Sequence, residues 1–216
     1  MYQISKDVYW TGYIDWDLRV FHGYSTPSGS TYNSYLIMDE QPTLIDTVKH
    51  YGAADMMAKI REVIDPAKIR YVIANHAEMD HSGSLEQILA AAPGAELVCS
   101  VKAVDILRKH FKKDWPFRPV QDGETLRIGR RELTFLHMPM VHWPESMATY
   151  SAQDQILFSN DAFGQHYASD ERCAEQIPAE TVFAEAAKYY ANIVLPYGAQ
   201  VLRVLQAASR FKIAKI

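Results

Sequence analysis

Strand-like and helix-like segments alternate three times in the middle of this chain, and this order constrains the fold more than any other feature. Each β-rich or continuously apolar run is followed by a run with helical periodicity. The strand-like runs are residues 42–47, 69–75 and 95–100, and the helical runs after them are residues 53–64, 84–92 and 101–111. Such alternation is typical of layered α/β folds.

Further strand-like segments lie on both sides of this alternation, and two helical segments close the chain. The outer strand-like segments are residues 7–14, 31–38, 124–129, 131–138, 146–152 and 155–161, and the closing helical segments are residues 179–194 and 199–211. Neither an internal repeat nor a linker interrupts this order. The sequence therefore predicts one domain over residues 1–216, with two mixed β-sheets face to face and helices outside.

Composition limits the partners and the location of such a domain. The net charge is −4, whereas binding to nucleic acid phosphates needs a concentrated basic surface. The two cysteines, Cys99 and Cys173, form no C-x-x-C motif, which suits a reducing compartment. No stretch approaches the roughly 20 apolar residues of a membrane helix. We expect a cytoplasmic protein with a buried, inert Cys99 and with no nucleic acid or membrane partner.

Two histidines and two carboxylates are crowded into six residues of the segment NHAEMDHSGS, directly after a strand-like run that reads as buried. A helix is expected to begin only near Ser82 to Ser84, so the six residues form a strand-to-helix turn. Ligands often bind at such turns in α/β folds. The turn can aim His76, Glu78 and Asp80 in nearly one direction, with His81 beside Asp80.

A solvated surface turn is the alternative for this segment, and it is the better interpretation of most histidine-rich turns. Here the buried strand before the turn and the small residues Ser82, Gly83 and Ser84 after it favour a metal site. The lack of a cysteine disfavours a structural zinc site. Two carboxylates in the set favour a binuclear non-haem iron or manganese centre over zinc.

The spacing H-x-E-x-D-H in this segment resembles the metal motif of the flavodiiron proteins (A-type flavoproteins), whose N-terminal domain has the metallo-β-lactamase fold. Lactamase-like hydrolases have a histidine where this sequence has Glu78. The likeness runs from about Trp10 to about Pro196. It includes the segments DWDLRVFHGY (15–24), GSTYNSYLI (29–37), LIDTV (44–48), HWPESM (142–147), FSNDAFGQH (158–166) and YYANI (189–193).

The resemblance implies an αββα sandwich that holds two iron ions through six side chains. These are His76, Glu78 and His142 for one iron, Asp80 and His81 for the second, and Asp161 as a bridge between the two. It also implies that His22 and Tyr24 line the pocket, where they would position a bound gas molecule or a proton-bearing water.

The function implied by the resemblance is reduction of O₂ to water, of NO to N₂O, or of both. The family uses FMN, receives electrons from rubredoxin-like or flavin reductase partners, and forms homodimers or tetramers. Two alternatives remain open. One is a zinc-dependent hydrolase of the same fold, against which Glu78 counts, and the other is a metal-poor, non-catalytic remnant.

Two features of the family are not found in these 216 residues. The family takes a further metal-binding histidine from a loop after the last helix, whereas the last histidine here is His166. No phosphate-cradling loop of a flavodoxin-like FMN domain is visible. We expect a fragment, one half of a split protein or a stand-alone domain that receives the imidazole and the flavin from elsewhere. His166 itself is predicted to be a surface or hydrogen-bonded loop residue.

Overall fold

The secondary structure consists of short strands and six helices, and the computed structural model describes residues 1–216. The strands are β1 (Tyr2–Ser5), β2 (Val8–Trp10), β3 (Tyr13–Asp15), β4 (Val20–Phe21), β5 (Tyr24–Ser25), β6 (Ser30–Tyr32), β7 (Tyr35–Ile37), β8 (Thr43–Ile45), β9 (Tyr71–Ala74), β10 (Glu96–Ser100), β11 (Phe117–Val120), β12 (Thr125–Arg127), β13 (Glu132–His137), β14 (Met147–Ser151) and β15 (Ile156–Phe158). The helices are α1 (Ala53–Val63), α2 (Met79–Ser82), α3 (Leu85–Ala91), α4 (Val101–Phe111), α5 (Ala179–Tyr189) and α6 (Gly198–Ala208), and a π-helical turn, Tyr190–Val194, continues α5.

Two main sheets lie in the fold. The larger one has seven strands in the order β1-β2-β7-β8-β9-β10-β11. Its first four strands pair antiparallel, and its last four pair parallel because helices connect them. The smaller sheet, β12-β13-β14-β15, is an antiparallel meander. The pairs β3-β6 and β4-β5 form two small separate sheets.

The two main sheets form an αββα sandwich, in which each sheet is packed on both of its faces. Ile73 and its same-face neighbours in the larger sheet pack with Phe135 and Phe158 of the smaller sheet. Val72 and its neighbours on the opposite face pack against α1, α3 and α4. The outer face of the smaller sheet, including Leu136, packs against α5 and α6. Because successive strand residues point to opposite faces, strands buried on both sides need continuous apolar runs. The predicted fold class is confirmed.

One predicted strand differs from the structure. The segment 7–14 was expected to be one strand, but Thr11 and Gly12 divide it into β2 and β3, which belong to different sheets. A Cβ at Gly12 would lie 2.2 Å from the Tyr32 carbonyl oxygen, so this close crossing of two backbones requires glycine. None of the helices is long and apolar enough to cross a bilayer.

The two cysteines differ in their surroundings, as the sequence predicted. Cys99 is fully buried in β10, whereas Cys173 is exposed. Burial raises the pKa of the Cys99 thiol to about 12, so its thiolate fraction at neutral pH is roughly a thousandfold below that of a free thiol. We expect a thiol-reactive dye to label one cysteine per native chain and both after denaturation. The Cys173→Ser variant should show no fast labelling, and rapid reaction of that variant would contradict the buried position of Cys99.

Candidate metal centre

Three loops from the two sheets meet around Asn75, the residue that follows β9. The Asn75 carbonyl accepts a hydrogen bond from the backbone N–H of Met147 at the start of β14, at 2.9 Å. Its side-chain amide donates to the Phe158 carbonyl at the end of β15, at 3.3 Å, and its side-chain oxygen accepts from Thr149 at 2.7 Å. Asp46 accepts from the Asn75 backbone N–H at 2.7 Å. These bonds bring the turn after β9 next to the loops that carry His142 and Asp161.

The turn after β9 enters a helix earlier than the sequence predicted. α2 begins at Met79 rather than near Ser82, because the Glu78 carbonyl accepts from the N–H groups of His81 and Ser82 at 3.0 and 2.8 Å. Gly83 permits the tight passage that follows, since a Cβ there would lie 2.3 Å from the Met79 carbonyl oxygen. Two of the predicted ligands therefore lie on a short helix, not in an open turn.

The polar side chains of this segment are buried. His76 is 0 %, Asp80 3 % and His81 7 % exposed. Charged groups are seldom buried without a partner, because removing them from water costs several kcal/mol each. The alternative of a solvated surface turn is therefore wrong for this segment.

Four donor atoms face one another in the first cluster, which consists of His76, Glu78, His142 and Asp161. The Nε2 atoms of both histidines lie 3.3 Å from Asp161 Oδ2, and they lie 3.4 Å (His76) and 3.3 Å (His142) from Glu78 Oε2. Most N–H···O hydrogen bonds are shorter, at 2.7–3.2 Å. Two ligands bonded to one cation at about 2.1 Å lie roughly 3.0–3.5 Å apart. The spacing therefore fits donors arranged around one metal ion.

The second cluster consists of Asp80, His81 and Asp161. His81 Nε2 lies 2.9 Å from Asp161 Oδ1 and 3.6 Å from Asp80 Oδ2. Asp161 thus directs Oδ2 into the first cluster and Oδ1 into the second. A carboxylate placed in this way can bridge two cations.

Unpartnered buried atoms provide an independent test of whether this set fits metal ions. Asp80 Oδ1, His142 Nε2 and Asp161 Oδ2 are buried and have no hydrogen-bond partner. Such atoms are rare in folded proteins, and each one costs free energy unless a partner satisfies it. All three lie in the two clusters, where metal ions would satisfy them. The residues present therefore fit a binuclear metal centre.

The electrostatics of the clusters agree with this fit. Burial opposes protonation of His76 and His142, but the adjacent carboxylates, Glu145 and Glu78 for His76 and Asp161 and Glu78 for His142, favour the charged imidazoles and raise both pKa values to about 9. Burial raises the pKa of Asp80; His81 lowers it, and Asp161 adds to the rise. Without a metal ion, the protons held by these histidines compensate the negative charge of the carboxylates. A cation would displace those protons.

Metal binding should therefore stabilise the protein and depend on pH. We expect zinc(II), used as a redox-inert probe, to raise the melting temperature of chelator-treated protein by several degrees at saturating concentration. His76 and His142, with pKa values of about 9, must lose protons to bind. Affinity should thus increase as the pH rises from about 6 to 9. Calorimetry in buffers of different ionisation enthalpy would measure the released protons. Affinity independent of pH would contradict the protonated state of these histidines.

His22 and Tyr24 lie on the hairpin formed by β4 and β5, which brings His22 into contact with the first cluster. The pairing of Phe21 with Tyr24 leaves His22 and Gly23 as a two-residue hairpin turn. Both have positive φ, 51° and 79°, as a type I′ turn requires. The turn directs His22 Nε2 to within 2.9 Å of Glu78 Oε1. The Tyr24 hydroxyl is buried and has no partner.

Two neighbours of His22 were not expected from the sequence. His166 is a hydrogen-bonded loop residue, one of the two predicted options, but it is buried against the pocket. Its Nε2 lies 3.2 Å from His22 Nδ1, and its Nδ1 lies 2.9 Å from the Ser30 hydroxyl. The buried Tyr189 ring lies 6.1 Å from that of His22. Tyr189 comes from α5, and only the packing of that helix brings it here.

The fold and the site together define a metallo-β-lactamase-like domain with two adjacent clusters of potential metal ligands. Comparison with known proteins agrees, because the model of the ODP family beta lactamase matches residues 31–216. The chain belongs to this family, and it is a lactamase-like domain of the flavodiiron type.

Individual relatives support this assignment. A nitric oxide reductase of Moorella thermoacetica is 40% identical over 98% of this chain and 54% of that protein. Two solved structures are similar: the flavodiiron protein of Giardia intestinalis (TM-score 0.94, 42% identity, 97% of this chain and 52% of the other) and the rubredoxin oxygen:oxidoreductase of Desulfovibrio gigas (TM-score 0.95, 41% identity, 99% and 54%). The chain spans about half the length of these relatives.

Proposed function

We propose that this chain is the diiron domain of an oxidoreductase that reduces O₂ to water, NO to N₂O, or both. The observation that carries the proposal is Asp161, which offers one carboxylate oxygen to each of two buried clusters. A carboxylate bridge suits a pair of redox cations because it tolerates changes in their charge and separation. The names of the relatives, a nitric oxide reductase and a rubredoxin oxygen:oxidoreductase, support the two gases as substrates.

The ligand roles follow the two clusters. His76, Glu78 and His142 are proposed to hold one iron, Asp80 and His81 the second, and Asp161 both. Iron held by these residues would supply electrons and would bind a diatomic gas. A zinc hydrolase is less well supported, because Glu78 stands where lactamase-like hydrolases have a histidine and because the similar proteins are reductases.

His22 is proposed to orient the carboxylate of Glu78. Its Nε2 lies 2.9 Å from Glu78 Oε1, so an N–H there would donate to that oxygen and leave Oε2 to face His76 and His142. The buried Tyr24 hydroxyl is free to hold a proton-bearing water beside the site. Both side chains are proposed to act on the substrate pocket, not as iron ligands.

Electrons are proposed to come from FMN in a flavodoxin-like domain or partner outside these 216 residues, which receives them from a rubredoxin-like or flavin reductase donor. Exposed apolar side chains close in sequence to the site residues support this route. Val20, Met79 and Phe163 lie within two residues of His22, Glu78 and Asp161 in the sequence, and they are 67 %, 41 % and 41 % exposed. Such a surface suits contact with a flat aromatic ring. A homodimer or tetramer would bring the flavin of one subunit to the site of another.

Metal analysis combined with gas consumption tests the function. Protein loaded anaerobically with iron(II) should hold about two iron ions per chain and should consume O₂ or NO when a flavin reductase, FMN and NADH are supplied. Protein that retains only zinc and hydrolyses a thioester, or that binds no metal, would contradict the proposal.

A further inference from the structure

Glu145 is a buried carboxylate next to the metal clusters that belongs to neither of them. Its side chain is 0 % exposed. Its Oε1 lies 2.8 Å from His76 Nδ1 and also accepts a hydrogen bond from the Ala77 backbone N–H at 3.1 Å. The Glu145 carbonyl accepts from the Ser100 hydroxyl at 2.7 Å, which fastens its backbone to the end of β10. The consecutive residues His76 and Ala77 therefore hold the Glu145 carboxylate through Oε1, and Ser100 holds its backbone.

The two nitrogens of His76 have different partners. Nδ1 meets Glu145, whereas Nε2 faces Glu78 and Asp161 in the first cluster. An ionised carboxylate can only accept hydrogen bonds, so Nδ1 carries the proton and Nε2 is the nitrogen available to a metal ion. His81 lacks such support, because its Nδ1 is buried without a partner. The His76 ring therefore connects a buried carboxylate, at Nδ1, to the proposed metal position, at Nε2.

We propose that Glu145 is a positioning residue that fixes the tautomer of His76 and increases its basicity toward the metal in the first cluster. This role deepens the proposed function and rests on it only for the identity of the metal. A carboxylate partner strengthens a histidine ligand, and loss of such a partner typically weakens metal affinity 10–100-fold. A more basic ligand also favours the higher oxidation state of a redox metal. Glu145 therefore lowers the reduction potential of that position.

A purely structural role is the competing explanation, since Glu145 also anchors the Ala77 backbone. The Glu145→Gln variant separates the two roles. A glutamine oxygen can still accept from Ala77 and from His76 at nearly the same volume, but it lacks the charge. Glu145→Gln should therefore keep the fold but should no longer increase the basicity of the His76 imidazole.

The experiment uses cobalt(II) and zinc(II) as probes on the full chain, so it does not depend on whether iron is the native metal. Competition with a chelator should show 10–100-fold weaker cobalt binding in Glu145→Gln. The Nδ1–H proton resonance of His76 in the zinc form should move upfield, because its hydrogen bond no longer ends on a charge. In the iron-loaded protein, the reduction potential should shift to a more positive value. The matched control is Glu132→Gln, at an exposed position of β13, which should change none of these.

Unchanged cobalt affinity together with an unchanged Nδ1–H resonance in Glu145→Gln would overturn the proposal. If that variant does not fold, the tautomer of His76 in the zinc form of the unsubstituted protein still tests the proposal. A proton on Nε2 of His76 would overturn it. Failure of the proposed function is a separate outcome. It would appear as missing iron or missing gas reduction in the unsubstituted protein, whatever the ratio of cobalt affinities.

Discussion

Replacement of Asp161 by asparagine is expected to empty both metal positions. Asp161 is the one side chain shared by the two clusters, with a different oxygen in each. The amide keeps the size of the side chain but has one oxygen and no charge, so it cannot bridge two cations. Because even outer partners of metal ligands contribute 10–100-fold to affinity, loss of a shared ligand should cost at least about 100-fold. Gas consumption should fall at least as far.

Iron content per chain and the rate of O₂ or NO consumption measure this effect. The matched control is Asp105→Asn, because Asp105 is exposed on α4. That control should retain the metal and the activity of the unsubstituted protein. If Asp161→Asn bound iron at full stoichiometry with normal affinity, Asp161 would not be a bridging ligand, and the two-cluster description would need revision.

The second large effect is expected from Arg131, in the turn between β12 and β13. Its side chain is 8 % exposed and contacts two buried carboxylates. Its Nε and Nη2 atoms donate to Asp154 at 2.8 and 3.2 Å, and Nη1 donates to Asp39 at 3.2 Å. Removal of one partner of a buried ion pair leaves an uncompensated charge, which costs about 3–5 kcal/mol. We expect Arg131→Met to lose this much free energy of unfolding.

Thermal denaturation would show the loss as a decrease of roughly 10 °C, given about 2–4 °C per kcal/mol for a chain of this size. The neighbouring Arg130 provides the control, because its side chain is 70 % exposed. Arg130→Met should change stability by no more than about 0.5 kcal/mol. Equal melting temperatures for Arg131→Met and the unsubstituted protein would show that the two carboxylates are adequately solvated without the arginine.

Much of the fold could be predicted from the sequence, because local patterns determine it. The helix predicted at residues 101–111 has the same bounds as α4, and the apolar run at 69–75 contains β9. The crowded segment after β9 predicted four candidate metal ligands from their chemistry, and the structure places all four in the two clusters. His142 and Asp161 were identified only through the family resemblance, since neither is near that segment in the sequence.

The remaining parts of the site depend on contacts that no local pattern records. His166 and Tyr189 reach the pocket only because a loop and α5 fold back over it. Glu145 lies three residues after His142, and nothing in its spacing indicates that it meets His76 rather than solvent. The early start of α2 depends on hydrogen bonds to a single carbonyl, that of Glu78.

The origin of the ligands has a consequence for how the domain is assembled. Residues 76–81 follow a strand of the seven-stranded sheet, whereas His142 and Asp161 flank strands of the four-stranded sheet. The proposed coordination sphere can be complete only after the two sheets have docked. The residues involved are far apart in the sequence, and contacts of this kind are slow to form. Metal uptake should then occur late in folding. Once bound, the ions would cross-link the two sheets and oppose movement of one sheet relative to the other.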